Sequence, residues 1–241
     1  MNSIPESPRT PVASDAVPLL LAIDTCGPSG TVALGRLSAG SVEILGQTEL
    51  TGRSYSATLV SAVAALLARA GAQLAELTAI VAVNGPGSFT GVRVGLSAVK
   101  GLAEVNRTPV VAVSRLEVLA AAAALASSAL DAHRHEVFLR LAEPGQAPRE
   151  LLAGAEELVA ISPAPPRIAV CDTAAELLRA AWPAAELARS NAPTAADALQ
   201  LCADRVERQE FANLTLLDGH YLRRSDAEIF GEATKAGSNR P

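Results

Sequence analysis

The densest chemistry in the 241-residue chain lies at Asn84–Gly95, NGPGSFTGVRVG. Gly85 and Gly87 flank Pro86, and Gly91 and Gly95 fall on the helix expected to follow. Glycine turns that open a helix can hold phosphate, because the free N–H groups there attract anions. The run is not the dinucleotide fingerprint, since Thr90 stands at the third glycine position, and no Gly-Lys-Ser/Thr follows to make a phosphate loop. Two readings stay open: the N–H groups with Ser88 and Thr90 hold an anion, or Ser88 caps the helix. A second candidate is Asp24-Thr25-Cys26-Gly27-Pro28-Ser29-Gly30, at the end of an apolar strand. A carboxylate followed by a glycine turn is how two-lobed ATPases hold phosphate and metal, and they need a matching turn in the other lobe. That place holds Asp131-Ala132-His133-Arg134-His135-Glu136, with no glycine to let backbone N–H groups close on a phosphate. The nucleotide site therefore reads as incomplete, with Asp24 serving as a plain turn residue as the competing reading.

Other chemistry is thinner. The only histidines are His133, His135 and His220; the first two are expected on one side of a strand, with no third ligand at metal spacing. No metal site and no catalytic residue is expected. Cys26 lacks an evident histidine partner, and no Gly-x-Ser-x-Gly elbow occurs. Arg223 and Arg224 after Tyr221 make one local basic spot.

The elements that must position these groups alternate in type. Leu19–Thr25 reads as a buried strand, followed by Thr31–Leu37 and Ser41–Leu50 as a meander. Apolar residues at helical spacing predict a helix over Ser54–Ala70, stopped by Gly71. A strand at Thr78–Val83, a helix over Ser88–Glu104 and a strand at Val110–Val113 complete a first lobe over 18–113. The second helix has an apolar face (Val92, Leu96, Val99), a polar face (Arg93, Ser97, Lys100, Glu104) and a bare stripe (Gly91, Gly95, Ala98). Each interior glycine costs about 0.5–1 kcal/mol relative to alanine, so something approaches the backbone closely. That neighbour is either the helix at 54–70 or a helix of another chain. Downstream, Leu116–Ala126 predicts a helix, Ala129–Leu141 a strand region, and 144–166 a proline-rich loop with one short helix. Arg167–Cys171 reads as a strand, with helices at Thr173–Trp182 and Pro193–Glu210. The second lobe then runs over 114–230, and the repeated grammar predicts a duplicated α/β architecture of βββαβα units. Segments 1–17 and 231–241 read as disordered tails.

Composition narrows the partners. Twenty Lys and Arg stand against 25 Asp and Glu, a net charge of −5, and only Lys100 and Lys235 are lysines. Without a basic tract, direct nucleic-acid binding is not expected, and any contact with RNA would run through a partner. The three cysteines, Cys26, Cys171 and Cys202, show no Cys-x-x-Cys, which fits a reducing cytoplasm. Leu116–Leu130 is the longest apolar stretch, broken by Ser127 and Ser128, so no membrane span is expected. The first residues lack a basic segment ahead of the apolar run and read as a tail, not a signal peptide.

Five blocks together resemble the TsaB (YeaZ) family: LLAIDT at 20–25, NGPGSFTGVRVGLSAVKGLA at 84–103, PVVAVSRLEVLA at 109–120, DAHRHEVF at 131–138 and HYLRR at 220–224. The resemblance implies an actin-like, ribonuclease H-like two-lobed ATPase fold. It also implies a non-catalytic scaffold needed for threonylcarbamoyladenosine at position 37 of tRNAs reading A-starting codons. On that reading the chain dimerises with a TsaD homologue and recruits a TsaE homologue. It self-pairs when alone, meets tRNA indirectly, and leaves ATP and Mg to the assembled complex, binding no cofactor tightly itself. Partner contacts would come from Leu59, Val63, Ser88, Thr90, Gly91, Arg93, Gly95 and Ala98, with Asp24, Thr25 and Asp131 as a degenerate phosphate site. A stand-alone ATPase or kinase using Asp24 and Asp131 is the alternative.

Overall fold

The computed structural model describes residues 17–51 and 55–223. The expected tails fall almost wholly outside those residues, as do Ser54 and Arg224. In the first lobe, β1 (Leu19–Asp24), β2 (Ser29–Ser38) and β3 (Ser41–Thr51) form an antiparallel meander. α1 (Tyr55–Arg69), β4 (Leu77–Val83), α2 (Phe89–Asn106) and β5 (Val110–Val113) follow, with β4 and β5 parallel to β1. The sheet order is β3-β2-β1-β4-β5. β1 is buried along its whole length because helices cover both faces, which is why its sequence is a continuous apolar run.

The second lobe repeats this plan. After α3 (Arg115–Ala122) come β6 (Ser128–Asp131), β7 (Val137–Leu141) and β8 (Arg149–Ala153), again an antiparallel meander. α4 (Ala155–Ala160), β9 (Arg167–Val170), α5 (Ala174–Ala181) and β10 (Glu186–Arg189) close the repeat, with β9 parallel to β6 and β10. Taken from its other edge, the order β8-β7-β6-β9-β10 matches that of the first sheet. Two sheets of this order, each with two crossover helices, are the duplicated actin-like, ribonuclease H-like architecture. The expected strand region over 129–141 is a hairpin of β6 and β7, and the loop-rich 144–166 contains β8 as well as α4. β10 was not expected: ELAR is short and only half-buried, so it shows no alternation.

The last helix, α6 (Ala195–Glu207), corrects the lobe boundary. Ala195, Ala198, Leu199, Cys202 and Ala203 join the core of the first sheet, not the second. Neighbouring residues of β3 show the geometry. Gln47 accepts from the Ala196 N–H of α6 at 3.0 Å, while Thr48 accepts from Arg69 of α1 at 3.1 Å. Adjacent strand residues point to opposite faces, so α6 covers one face and α1 the other. α3 does the reverse. It leaves the first sheet, and its Leu116 and Leu119 pack with Leu130 and Phe138 on the second, opposite the α4–α5 face, where Ala129, Val137 and Leu139 point.

Candidate functional site

β1 delivers Asp24 to a turn that is packed shut. The Asp24 residue is only 2% exposed. Its Oδ1 accepts the Cys26 backbone N–H at 2.8 Å, and its Oδ2 lies 3.2 Å from Arg115 Nε. Arg115 opens α3 and is itself buried, and its backbone N–H donates to the Gly85 carbonyl at 2.6 Å. The guanidinium occupies the space beside Gly27, where a Cβ would collide with Nη2. Burial opposes the charge on Arg115, but the adjacent Asp24 carboxylate, its hydrogen bond and the nearby Cys26 together raise its pKa. Burial, then Asp24, pushes the Cys26 thiol well above its ordinary value. Tyr55 seals the turn by donating to the Gly27 carbonyl at 2.8 Å, and burial with Asp24 lifts its pKa to about 12.

The glycine stripe of α2 closes the same turn from the other side. A Cβ on Gly91 would run into the Thr25 carbonyl, one on Gly95 into Thr25 Oγ1, and one on Gly87 into the Cys26 carbonyl. Thr25 Oγ1 in turn donates to the Gly91 carbonyl at 2.7 Å. The stripe is therefore consumed inside its own lobe, which corrects the expectation that Gly91 and Gly95 meet a partner. Its neighbour is the β1–β2 turn, which neither sequence reading named. Two N–H groups at this end are taken as well: Ser88 N–H donates to the Cys26 carbonyl at 2.8 Å and Gly91 N–H to Ser88 Oγ at 3.2 Å. Ser88 is a helix cap.

The matching turn of the second lobe is open. His133, Arg134 and His135 form the tip of the β6–β7 hairpin, not one side of a strand, and all three have left-handed φ of 61°, 55° and 61°. His133 has a side chain 82% exposed. Asp131 Oδ1 accepts from His133 N–H at 2.7 Å and Oδ2 from Thr173 Oγ1 at 2.6 Å. Burial alone would raise its pKa, but those hydrogen bonds from Thr173 and His133 hold it below the ordinary value. Arg223 clamps the turn by donating to the Ala132 carbonyl at 2.7 Å and pairing with Glu136. Asp24 and Asp131 thus each have partners from the chain itself. Among the described residues no cluster of three or more His, Cys, Asp or Glu could hold a metal ion.

A groove of about 430 Å³ lies open between α1 and α2. Tyr55, Ser56, Leu59 and Val60 line one wall, and Arg93, Val94, Ser97 and Ala98 the other. Val60 is 58% exposed, while Leu59 is only its floor and Val63 is core. Beside the groove Arg93 lies over the Phe89 ring, 3.9 Å from its centroid, and Phe89 meets Tyr221 at 4.9 Å between centroids. Of the expected partner residues, Thr90, Arg93 and Ala98 keep surface, and Ser88 is exposed although it caps.

Known proteins share this fold and these segments. Residues 45–160 match the model of the TsaD family, tRNA N6-adenosine threonylcarbamoyltransferase. A solved Pseudomonas aeruginosa structure, described as similar to the peptidase YeaZ, is 30% identical with a TM-score of 0.70; the match covers 86% of this chain and 100% of that one. The chain belongs to the TsaB (YeaZ) family. The Escherichia coli protein TsaB is 34% identical over 125 residues, 49% of this chain and 52% of that protein. The Bacillus subtilis TsaB is 36% identical over 126 residues, 51% and 54% respectively. The chain thus spans about half the length of the curated TsaB relatives it matches.

In this TsaB-family chain the sequence reading missed Arg115, the residue that fills the first-lobe turn. Arg115 stands 91 positions from Asp24, so no local spacing announced the pair. A buried polar cluster at the seam between the lobes was missed as well. Glu150 Oε2 accepts from Ser114 Oγ at 2.6 Å, and Oε1 lies 2.8 Å from Arg140 Nη1. His220 Nε2 is 2.8 Å from Glu150 Oε2, near enough for a charge contact but not aligned as a hydrogen bond. Only HYLRR in the family resemblance pointed to this segment, and it gave no partner.

Proposed function

We propose that this chain acts in tRNA threonylcarbamoyladenosine biosynthesis as a non-catalytic scaffold that pairs with a TsaD homologue through the α1–α2 groove. One contrast carries the reading. The turn that would grip a nucleotide phosphate is filled by the chain's own Arg115 and clamped by α2, whereas the α1–α2 groove stays open. With that turn packed shut by Arg115 and α2, ATP and Mg belong to the assembled complex, with a TsaE homologue recruited there. With a net charge of −5, the chain meets tRNA through its partner. That no helix among the described residues is long and apolar enough to cross a membrane accords with a cytoplasmic complex.

The test is co-purification with the TsaD homologue. Val60→Arg and Ser97→Trp place bulk and charge in the groove at exposed positions, so the fold should survive, as a thermal melt would verify. Loss of the complex by both variants is expected. A folded variant that binds the homologue with unchanged affinity overturns the docking role. Saturable Mg-ATP binding by the isolated chain would favour the stand-alone ATPase instead.

A further inference from the structure

We infer that Arg93, braced by Phe89 and Tyr221, selects an acidic partner helix over a second copy of this chain at the α1–α2 groove. The inference rests on the docking role proposed above and names what decides the partner. Four of the six α-helices among the described residues carry a carboxylate in the first turn: Glu117 in α3, Glu156 and Glu157 in α4, Glu176 in α5 and Asp197 in α6. Carboxylates there offset the positive end of the helix. α1 and α2, the two walls of the groove, have none.

The imbalance continues along both helices. α1 holds no carboxylate at all, and α2 holds only Glu104, against Arg69, Arg93 and Lys100. Arg69 is turned to Thr48 of β3, and Lys100 shares the polar face of α2 with Glu104, which leaves Arg93 as the cation of the groove itself. Arg93 is the one charged residue lining the groove, and no carboxylate among the described residues pairs with it. Its guanidinium carbon lies over the Phe89 ring, and a guanidinium so placed can still donate through its N–H groups to a carboxylate. Phe89 is itself stacked by Tyr221, so the segment leading into Arg223 shapes the docking face. A second copy would bring its own Arg93 to the seam. A partner helix with a carboxylate opposite Arg93 supplies what both walls lack, and rejection of like charge is a common source of selectivity.

The experiment measures the affinity of the full chain for the TsaD homologue at low and high salt, beside its self-association by sedimentation. The wild type should bind the homologue more tightly than itself, and should weaken at least tenfold between about 50 mM and 500 mM salt. Arg93→Glu, at an exposed position, should bind at least tenfold more weakly at low salt and lose that salt dependence. Phe89→Ala should lie between the two, and Phe89→Tyr, which keeps a ring under the guanidinium, should restore the salt dependence. If the wild type forms no complex at all, the docking role itself falls. If the complex forms but Arg93→Glu or salt leaves it unchanged, the role survives and the selectivity inference is overturned. It is equally overturned by self-association tighter than hetero-association. It also falls if a chain ending at Arg223 binds the homologue far more tightly, which would make this chain's own last residues the occupant.

Discussion

The turns after β1 and β6 occupy the same position in two copies of one topology, yet their surroundings are opposite. The first is buried, with Asp24 held by a cation from α3 and its backbone pressed by the glycines of α2. The second is exposed, with Asp131 held by hydroxyl and backbone donors and its tip bent through three left-handed residues. A two-sided phosphate clamp needs both turns to present free N–H groups to a shared cleft. Here Arg115 fills one turn and the other has no glycine, so the two turns depart from such a clamp in different ways. The energetic consequence differs too: the first turn is part of the core, the second part of the surface.

The contrast is broken most severely at Arg115. Arg115→Met leaves the Asp24 carboxylate buried without its cation, and loss of one partner of a buried pair costs about 3–5 kcal/mol. Asp131→Asn, which keeps much of its hydrogen bonding at a partly exposed site, should cost below about 1 kcal/mol. Urea unfolding of both variants compares the turns directly, and equal losses would refute the difference in burial. Adding Asp24→Asn to Arg115→Met should recover part of the loss, because the uncompensated charge is then gone.

Within α2 a similar comparison is available at smaller scale. Gly91→Ala drives a methyl into the Thr25 carbonyl, an overpacking cost of about 1–3 kcal/mol or more where backbone must yield. Gly101 on the same helix has nothing within 4 Å of an added Cβ, so Gly101→Ala should stabilise by about 0.5–1 kcal/mol. Opposite shifts in melting temperature for two identical substitutions would separate contact from propensity. Equal shifts would show that the clamp on Thr25 is absent.

The smallest effect is in the acid range. Burial would raise Glu150, but His220, Ser114 and Arg140 hold its pKa below the ordinary 4.5; Asp131 is likewise held below 3.8. A carboxylate depressed in the folded state adds stability above its unfolded value and loses it as pH falls through the folded one. The melting temperature should therefore be flat near neutrality and fall below about pH 4.5. Glu150→Gln should lower the plateau and make that acid limb shallower. An acid limb of unchanged steepness would remove the seam cluster from the pH dependence.

Much of this was legible in the residues. Continuous apolar runs marked β1 and β4, Ser88 marked the start of α2, and repeated βα grammar marked the duplication. What periodicity cannot supply is the identity of a neighbour. Gly91 and Gly95 correctly announced a close approach, but the approaching group, Thr25, comes from a strand end 66 residues earlier. The hairpin tip 133–135 was hidden because it carries no glycine, and histidine's tolerance of left-handed backbone is too weak a signal to mark a turn. α6 was legible as a helix but not as part of the first lobe, since an amphipathic stripe shows that a face is buried without showing where.

The placement of α3 and α6 has a consequence for how the molecule can come apart. Each half of the repeat lends its closing helix to the opposite sheet, and the two loans meet where Arg205 of α6 pairs with Glu117 of α3. A chain cut between residues 125 and 126, after α3 and before β6, would give two pieces, each missing one wall, and neither should hold its shape alone. Mixed together, the pieces should reassemble, because each carries the other's missing wall.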